Sequence, residues 1–344
     1  VISPGTQTDP ELLDPGVGQF LASVAPRTEG GHGVALIDLS TGGLIVTRAD
    51  DDRALGDLLV RYEVREVLMP AEAPNAPRLP EGERAGPLVT TLDDDLFHPA
   101  LAAGRVREAL GVHSLASFGC DDGHPGLPAA AAALAHLRRT QRVQAAHLDR
   151  LRVDDPRRIL LMDRATRRNL ELVTNLVDST RRNTVLEALD RTLTPMGARA
   201  LRARLLEPLV DLDAIRARHA FVEVLVARAD LRARARDALR EIRDIERLLG
   251  RAALSRATAH DLASLRGSLG ALPELRASLE AAEAPATAER AARIDPIGEL
   301  RDTLEVALAD EPTGVPGEGR VLREGYDEPL DECRELARGS RRLI

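Results

Sequence analysis

Lysine is missing from the chain. All 47 basic residues among the 344 are arginine, so a Gly-rich phosphate loop closing on Gly-Lys-Ser or Gly-Lys-Thr is excluded from this stretch. Tryptophan is missing too, and aromatic residues make up only 2% of the chain, which leaves little surface on which bases could stack. Cysteine is nearly absent: Cys120 and Cys333 lie far apart and form no Cys-x-x-Cys pair. Such usage argues against a disulfide framework or thiolate zinc site, and a reduced, cytoplasmic protein is expected. No apolar run approaches the length of a membrane span, and no signal peptide opens the chain. The first residue is Val1, not an initiator methionine, so the sequence reads as a fragment or processed piece.

What is present, 44% hydrophobic and 30% charged residues, suits a globular protein long enough for two domains and a sizeable core. The formal net charge of −8 opposes attraction to phosphate backbones, on which affinity for duplex DNA largely depends.

Residues 1 to about 30 are rich in Gly and Pro and read as an extended lead-in with one short helix. Gly33–Leu39 and Leu44–Thr47 are apolar, β-branched runs around Ser40-Thr41-Gly42-Gly43, the pattern of a β-hairpin. A helix over about Arg53–Tyr62, a strand over Val64–Met69, a Pro-rich loop over 70–87 and helices over Asp94–Leu110 and Pro128–Arg142 follow. Strands alternating with helices give an α/β domain over residues 1–153.

Beyond about Asp155 the strand signal ends. Apolar stripes such as Ile215, His219, Val222 and Val226, or Ala238, Ile242, Ile245 and Leu249, step by three and four, and predict an all-helical domain over 154–344. Helices over Asp261–Glu280 and Pro296–Ala309 are joined by an Ala/Pro/Glu linker at 281–288, and a Pro/Gly loop at 310–320 precedes a last helix from Tyr326 to the end of the sequence. One helix is the expected hub. Thr194 caps it, Pro195 occupies its first position, and Glu207 before Pro208 ends it. Met196, Ala200, Ala203 and Leu206 fall on one side and Leu201 and Leu205 on the other, the pattern of a helix packed between neighbours.

The stretch Met162-Asp163-Arg164-Ala165-Thr166-Arg167-Arg168-Asn169-Leu170-Glu171-Leu172, its linker, and the Thr194-Pro195-Met196-Gly197 helix ending in Leu206-Glu207-Pro208-Leu209 resemble the opening of the core, or lever, domain of the MutS family of mismatch-recognition ATPases. Asp244-Ile245-Glu246-Arg247-Leu248-Leu249-Gly250-Arg251 is similar to a second stretch of that domain, and Val1-Ile2-Ser3-Pro4-Gly5-Thr6 resembles the entry to the family's connector domain. The resemblance implies an RNase H-like connector over 1–153 and a helical lever over 154–344 that stops before the clamp. It implies mismatched double-stranded DNA, a MutL-type partner docking on the connector, and homodimerisation as properties of a full-length protein. ATP and Mg would bind in a domain outside these residues, and the lever would couple DNA binding to that ATPase domain. No catalytic, cofactor-binding or metal-binding residue is expected within the stretch itself. Two other readings stand beside it: a helical protein-interaction scaffold without a DNA role, and an RNase H-like nuclease.

The nuclease reading would need Asp38, at the end of what reads as the first strand, with Asp93, Asp94 and Asp95 converging on two metal ions. The simpler expectation is that Asp38 starts a turn and the three aspartates head a helix. Phe221-Val222-Glu223 has the Phe-x-Glu form with which the MutS family reads a mispaired base, but it lies inside a helix where Phe221 and Leu225 pair, so core packing is expected. His219 is expected in the core, and none of the eight histidines forms a His-Glu-x-x-His pattern. Gly30, Gly31 and Gly33 precede a strand and are no nucleotide fingerprint. Arginine clusters at Arg138, Arg139 and Arg142, at Arg164, Arg167 and Arg168, and at Arg181 and Arg182 could meet phosphates, but a solvated face paired with acids is the expectation.

Overall fold

The computed structural model describes residues 3–7, 9–72, 86–141, 148, 150–313 and 320–341. Val1 and Ile2 of the connector-like entry, most of the Pro-rich loop, Arg142, and the last three residues lie outside these. The chain divides into two compact units, one of Val1–Arg216 with Leu249–Leu254, the other of Ala217–Leu248 with Ser255–Ile344.

The first unit is built on a mixed sheet. Strand β1 (Phe20–Val24) runs antiparallel to β2 (His32–Asp38), which runs antiparallel to β3 (Gly43–Ala49). Helix α1 (Asp52–Arg61) leads to β4 (Glu66–Pro70), parallel to β1, and β5 (Leu88–Leu92) is parallel to β4. After α2 (Pro99–Leu110) and α3 (Leu127–Gln141), β6 (Arg150–Val153) adds in parallel to β3. The strand order is β5-β4-β1-β2-β3-β6.

Both faces of the sheet are covered. Ala35 and Ile37 of β2 point to a core shared with α2 and α3, while Val34 and Leu36 point to one shared with Leu55, Leu58 and Leu59 of α1. A strand buried on both sides carries an unbroken apolar run instead of alternation, which is why the β2 stretch reads so clearly. Helix α3 meets the sheet through buried Ala129–Ala133. Two glycines permit the approach: a Cβ on Gly33 would lie 1.7 Å from the Pro125 carbonyl oxygen, and one on Gly126 would lie 2.9 Å from that of Val34.

The lead-in expectation was incomplete. Residues 20–24 form the strand between β2 and β4, with Leu21, Ala22 and Val24 fully buried. Its five residues include Ala22 and Ser23, too few strong β-formers to signal a strand among flanking glycines. The short strands β5 and β6 also escaped the sequence reading: β6 has only Val153 as a β-branched residue, and β5, with Val89, Thr90 and Thr91, is five residues directly after the Pro-rich loop.

Past β6, residues of the first unit form α4 (Arg164–Asn169), α5 (Val185–Leu189) and α6 (Pro195–Leu206). Helix α6 starts and stops as the sequence predicts, with the Thr194 hydroxyl accepting from the Gly197 N–H at 3.1 Å. It is not a buried hub. Leu206 is its one buried residue, Leu201 is half-buried, and Ala200 and Ala203 are exposed. Helix α7 (Leu212–Ala227) has no buried residue. The expected core stripe on it is solvent-facing: Val222 is 54% and Val226 68% exposed, and His219 is exposed instead of sitting in a core.

The second unit takes in most of α7, α8 (Ala229–Arg240), part of α9 (Ile245–Ala253), α10 (Ala259–Glu280), α11 (Pro285–Ala292), α12 (Gly298–Ala307) and α13 (Glu328–Arg341). Helix α10 packs against α8, α11 and α12. Its start is a capping box, in which Thr258 and Asp261 satisfy each other's backbone N–H groups. The Ser268 hydroxyl of α10 accepts from the Arg243 N–H at 3.0 Å, where the chain breaks between α8 and α9. The second half of the expected linker at 281–288 is helical: α11 begins at Pro285 and buries Thr287 and Ala291.

Candidate functional site

The polar chemistry of the first unit concentrates where α1 meets residues 154–207. Arg61, in the last turn of α1, has a side chain only 4% exposed. Its Nη2 donates to Asp154 Oδ2 at 2.8 Å and its Nε lies 3.5 Å from Glu207 Oε1. These carboxylates, 10% and 15% exposed, come from just beyond β6 and from the cap of α6. The Tyr62 hydroxyl donates to Asp154 at 3.4 Å and accepts from Arg152 at 3.1 Å. Burial pushes the Tyr62 phenol far above its ordinary range. Its ring stacks edge-on against Phe20, and the Arg61 guanidinium lies 4.7 Å from its centre.

Further links surround this core. Arg202 of α6 pairs with Glu63, Arg53 reaches Asp163 at 3.5 Å, and the Arg164 N–H donates to Asp57 at 3.1 Å. The opening of the helical stretch is therefore clasped to the α/β sheet by charge and hydrogen bonds more than by apolar burial. Removing one partner from the buried Arg61–Asp154 pair would cost on the order of 3–5 kcal/mol, because the other charge is left unpaired.

Local sequence named Asp163, Arg164 and Glu207 for other reasons and linked none of these partners. Arg61 and Asp154 are 93 positions apart, and no spacing rule links them. Arg167, expected on a solvated face, is in fact 8% exposed. Among its neighbours in the arginine clusters, Arg138 pairs with Glu108 at 3.4 Å and Arg181 with Asp190, as expected of a surface laced with acids.

The carboxylates considered for a metal do other work. Asp38 ends the second strand, not the first, because β1 precedes it. It is 3% exposed; its Oδ1 accepts from the Ser40 N–H and hydroxyl at 2.9 and 2.6 Å, and its Oδ2 from the Gln19 N–H at 3.2 Å. It thereby closes the hairpin turn. Asp94 accepts from the Glu72 N–H at 3.2 Å, and Asp93 lies 3.8 Å from Arg139. Among the described residues no three His, Cys, Asp or Glu side chains are grouped to hold a metal ion. A buried carboxylate that sequence reading missed, Glu66 on β4, accepts from the Gly5 N–H at 3.2 Å and the Thr90 hydroxyl at 2.8 Å, and also from the Ser3 hydroxyl. It pins the start of the chain to the sheet.

Phe221 lies within α7, half-buried, with the Arg290 guanidinium 5.2 Å from its ring centre, and Glu223 is exposed. Its ring is held by a neighbouring side chain, as a helical packing residue is. No helix among the described residues is long and apolar enough to cross a membrane.

Residues 19–149 match the family model described as MutS domain II, and residues 165–341 match that of MutS domain III. The DNA mismatch repair protein MutS of Symbiobacterium thermophilum is 40% identical over 349 residues, spanning 100% of this chain and 40% of the relative. That of Myxococcus xanthus is 37% identical over 347 residues, with 100% and 39% spanned. That of Anaeromyxobacter sp. (strain K) is 41% identical over 340 residues, with 98% and 38% spanned. The chain thus spans about 40% of the length of the curated relatives it matches.

Proposed function

This chain belongs to the MutS family, and from that premise we propose that it is the connector and the first part of the lever of a DNA mismatch recognition protein. In this reading it mechanically couples mismatched-DNA binding to an ATPase domain outside these residues. The connector occupies about 1–153 and is RNase H-like in fold without nuclease chemistry. An antiparallel meander β3-β2-β1 extended by parallel β4 and β5 supports that assignment. The lever occupies about 154–344, its opening carried by the first compact unit. Catalytic, ATP and Mg sites belong to the rest of the protein, as do homodimerisation and the grip on double-stranded DNA. A MutL-type partner docks on the connector, and the protein works in the cytoplasm.

The observation that carries this reading is the clasp of Arg61, Asp154 and Glu207, with Arg202 and Glu63 beside it. Coupling between distant sites needs packed elements that both sites can bias. A lever whose first turns are held to the connector by buried ion pairs is such an element. The test is Arg202→Met in the full-length protein, which removes a partly exposed pair and leaves the fold intact. Binding of mismatched duplex is expected to persist while the stimulation of ATP turnover by the mismatch falls several-fold. Unchanged stimulation would sink the coupling role.

A further inference from the structure

A cleft of about 920 Å³ opens beside α1 and residues 159–162, with Leu58, Leu160, Leu161, Val210 and Arg167 among its walls. Three features of its wall are unspent. The first is backbone. Leu160 N–H donates to the Pro208 carbonyl at 2.7 Å and Val210 N–H to that of Arg158 at 3.3 Å, making Ile159 and Leu209 an antiparallel pair. Successive residues of such a pairing turn their N–H and C=O groups to opposite sides. The Leu161 amide therefore faces away from Leu209, and it has no hydrogen-bond partner among the described residues.

The second feature is apolar. Leu160, Leu161 and Val210 are 53%, 63% and 49% exposed, a rim of aliphatic side chains beside the open edge. The third is Arg167. It is 8% exposed, yet its Nε and Nη1 have no hydrogen-bond partner among the described residues. A buried charged donor left unmade is costly, and an acceptor arriving from elsewhere would relieve it.

Charge decides what that acceptor is. Burial and the neighbouring Arg61 disfavour the Arg167 charge, while Asp57 and Glu207 favour it. Arg61 itself is already matched by Asp154 and Glu207. The wall of the cleft carries five arginines against six aspartates, so it holds no surplus of positive charge for a further anion. Hydrogen-bond capacity is open where charge is not. A neutral acceptor, the carbonyl oxygen of a peptide, satisfies that condition, and a phosphate does not.

We propose that this cleft binds an extended, uncharged aliphatic segment of a partner protein. The segment adds as a strand to the Leu161 edge and presents a backbone carbonyl to Arg167. Main-chain pairing would supply affinity and the Leu160, Leu161 and Val210 rim selectivity, the mode of strand addition. The cleft shares Arg61 and Asp154 with the clasp, but its test reads peptide binding and not the coupling role proposed above.

Peptide display on the immobilised chain, followed by titration of the selected peptides, tests it. The expected consensus is aliphatic and free of charge, with the Leu161 amide protected from exchange in the complex. Arg167→Met and Leu161→Pro, each shown to unfold cooperatively, should weaken binding by at least about tenfold, the size of one lost hydrogen bond to a charged group. If Arg167→Met does not fold, Leu161→Pro alone carries the test. An acidic or phosphate-selective consensus, no selected peptide, or equal binding by both variants overturns the proposal. So does a full-length protein that no longer binds the peptides, since its own remaining sequence would then fill the cleft.

Discussion

At the scale of single residues, buried titratable groups set how stability follows pH. Burial lowers the pKa of His124, with Arg48 adding to it, and burial lowers that of His136, with Arg139 adding. Both protonate more readily in the unfolded chain. Their contribution is complete above the ordinary histidine value of 6.5 and is lost as pH falls below it. On the alkaline side the sign reverses. Burial pushes the Cys120 thiol up to about 11, with Asp121 and Asp122 adding, and pushes the Tyr62 phenol up as well. Their contribution is complete below the unfolded values of 9.0 and 10.0 and is lost as pH rises past them. Urea midpoints measured from about pH 5 to about pH 11 should trace a dome. His136→Gln should flatten its acid limb and Tyr62→Phe its alkaline limb. Limbs that keep their slopes in these variants would show that other groups set the profile.

At the scale of elements, α6 and α9 each carry a prediction. The sequence pattern of α6 puts Leu201 and Leu206 on equal footing, but only Leu206 is buried. Leu206→Ala should cost about 2–5 kcal/mol, as truncation of a packed leucine does. Leu201→Ala should cost clearly less, because a half-buried side chain loses less transfer free energy and leaves no closed cavity. Denaturant unfolding of the two variants compares them directly, and equal losses would restore the two-sided packing. In α9, Gly250 approaches the turn of the β2–β3 hairpin, where an added Cβ would lie 2.5 Å from the Ser40 carbonyl oxygen. Alanine gains about 1 kcal/mol of helix propensity over glycine, but the clash is with backbone, which cannot rotate away. Overpacking costs about 1–3 kcal/mol, so Gly250→Ala should destabilise on balance. A variant more stable than the parent in urea would mean that the helix end can shift outward.

At the scale of the whole molecule, composition and family pull in different directions. The family acts on mismatched DNA, yet this stretch carries a formal net charge of −8 and 2% aromatic residues. Neutralising several phosphates would give a steep salt dependence. The purified chain should instead bind duplexes weakly at low salt and indifferently to a mismatch. Titrating matched and mismatched duplexes at low and physiological salt checks this. Clear mismatch preference at physiological salt would place a base-reading site within these residues and return attention to Phe221.

The sequence by itself determined the class of each half of the chain and its family. The β2–β3 hairpin, α1, α3 and the capped start of α6 were legible because each rests on local rules. These are an apolar run around a turn, a Thr that accepts from the third N–H of its helix, and a proline at the first turn. The absence of lysine likewise excluded a lysine-bearing phosphate loop without any structure. Only the tertiary structure decided that residues 20–24 are a central strand, that α6 is half-buried and that α7 faces solvent. It also decided that Arg61 and Arg167 lie buried beside Glu207, while Arg138 and Arg181 lie at the surface. Burial of an arginine is not written in its neighbours along the chain. It follows from which carboxylates and apolar side chains, tens to more than a hundred positions away, the fold brings against it.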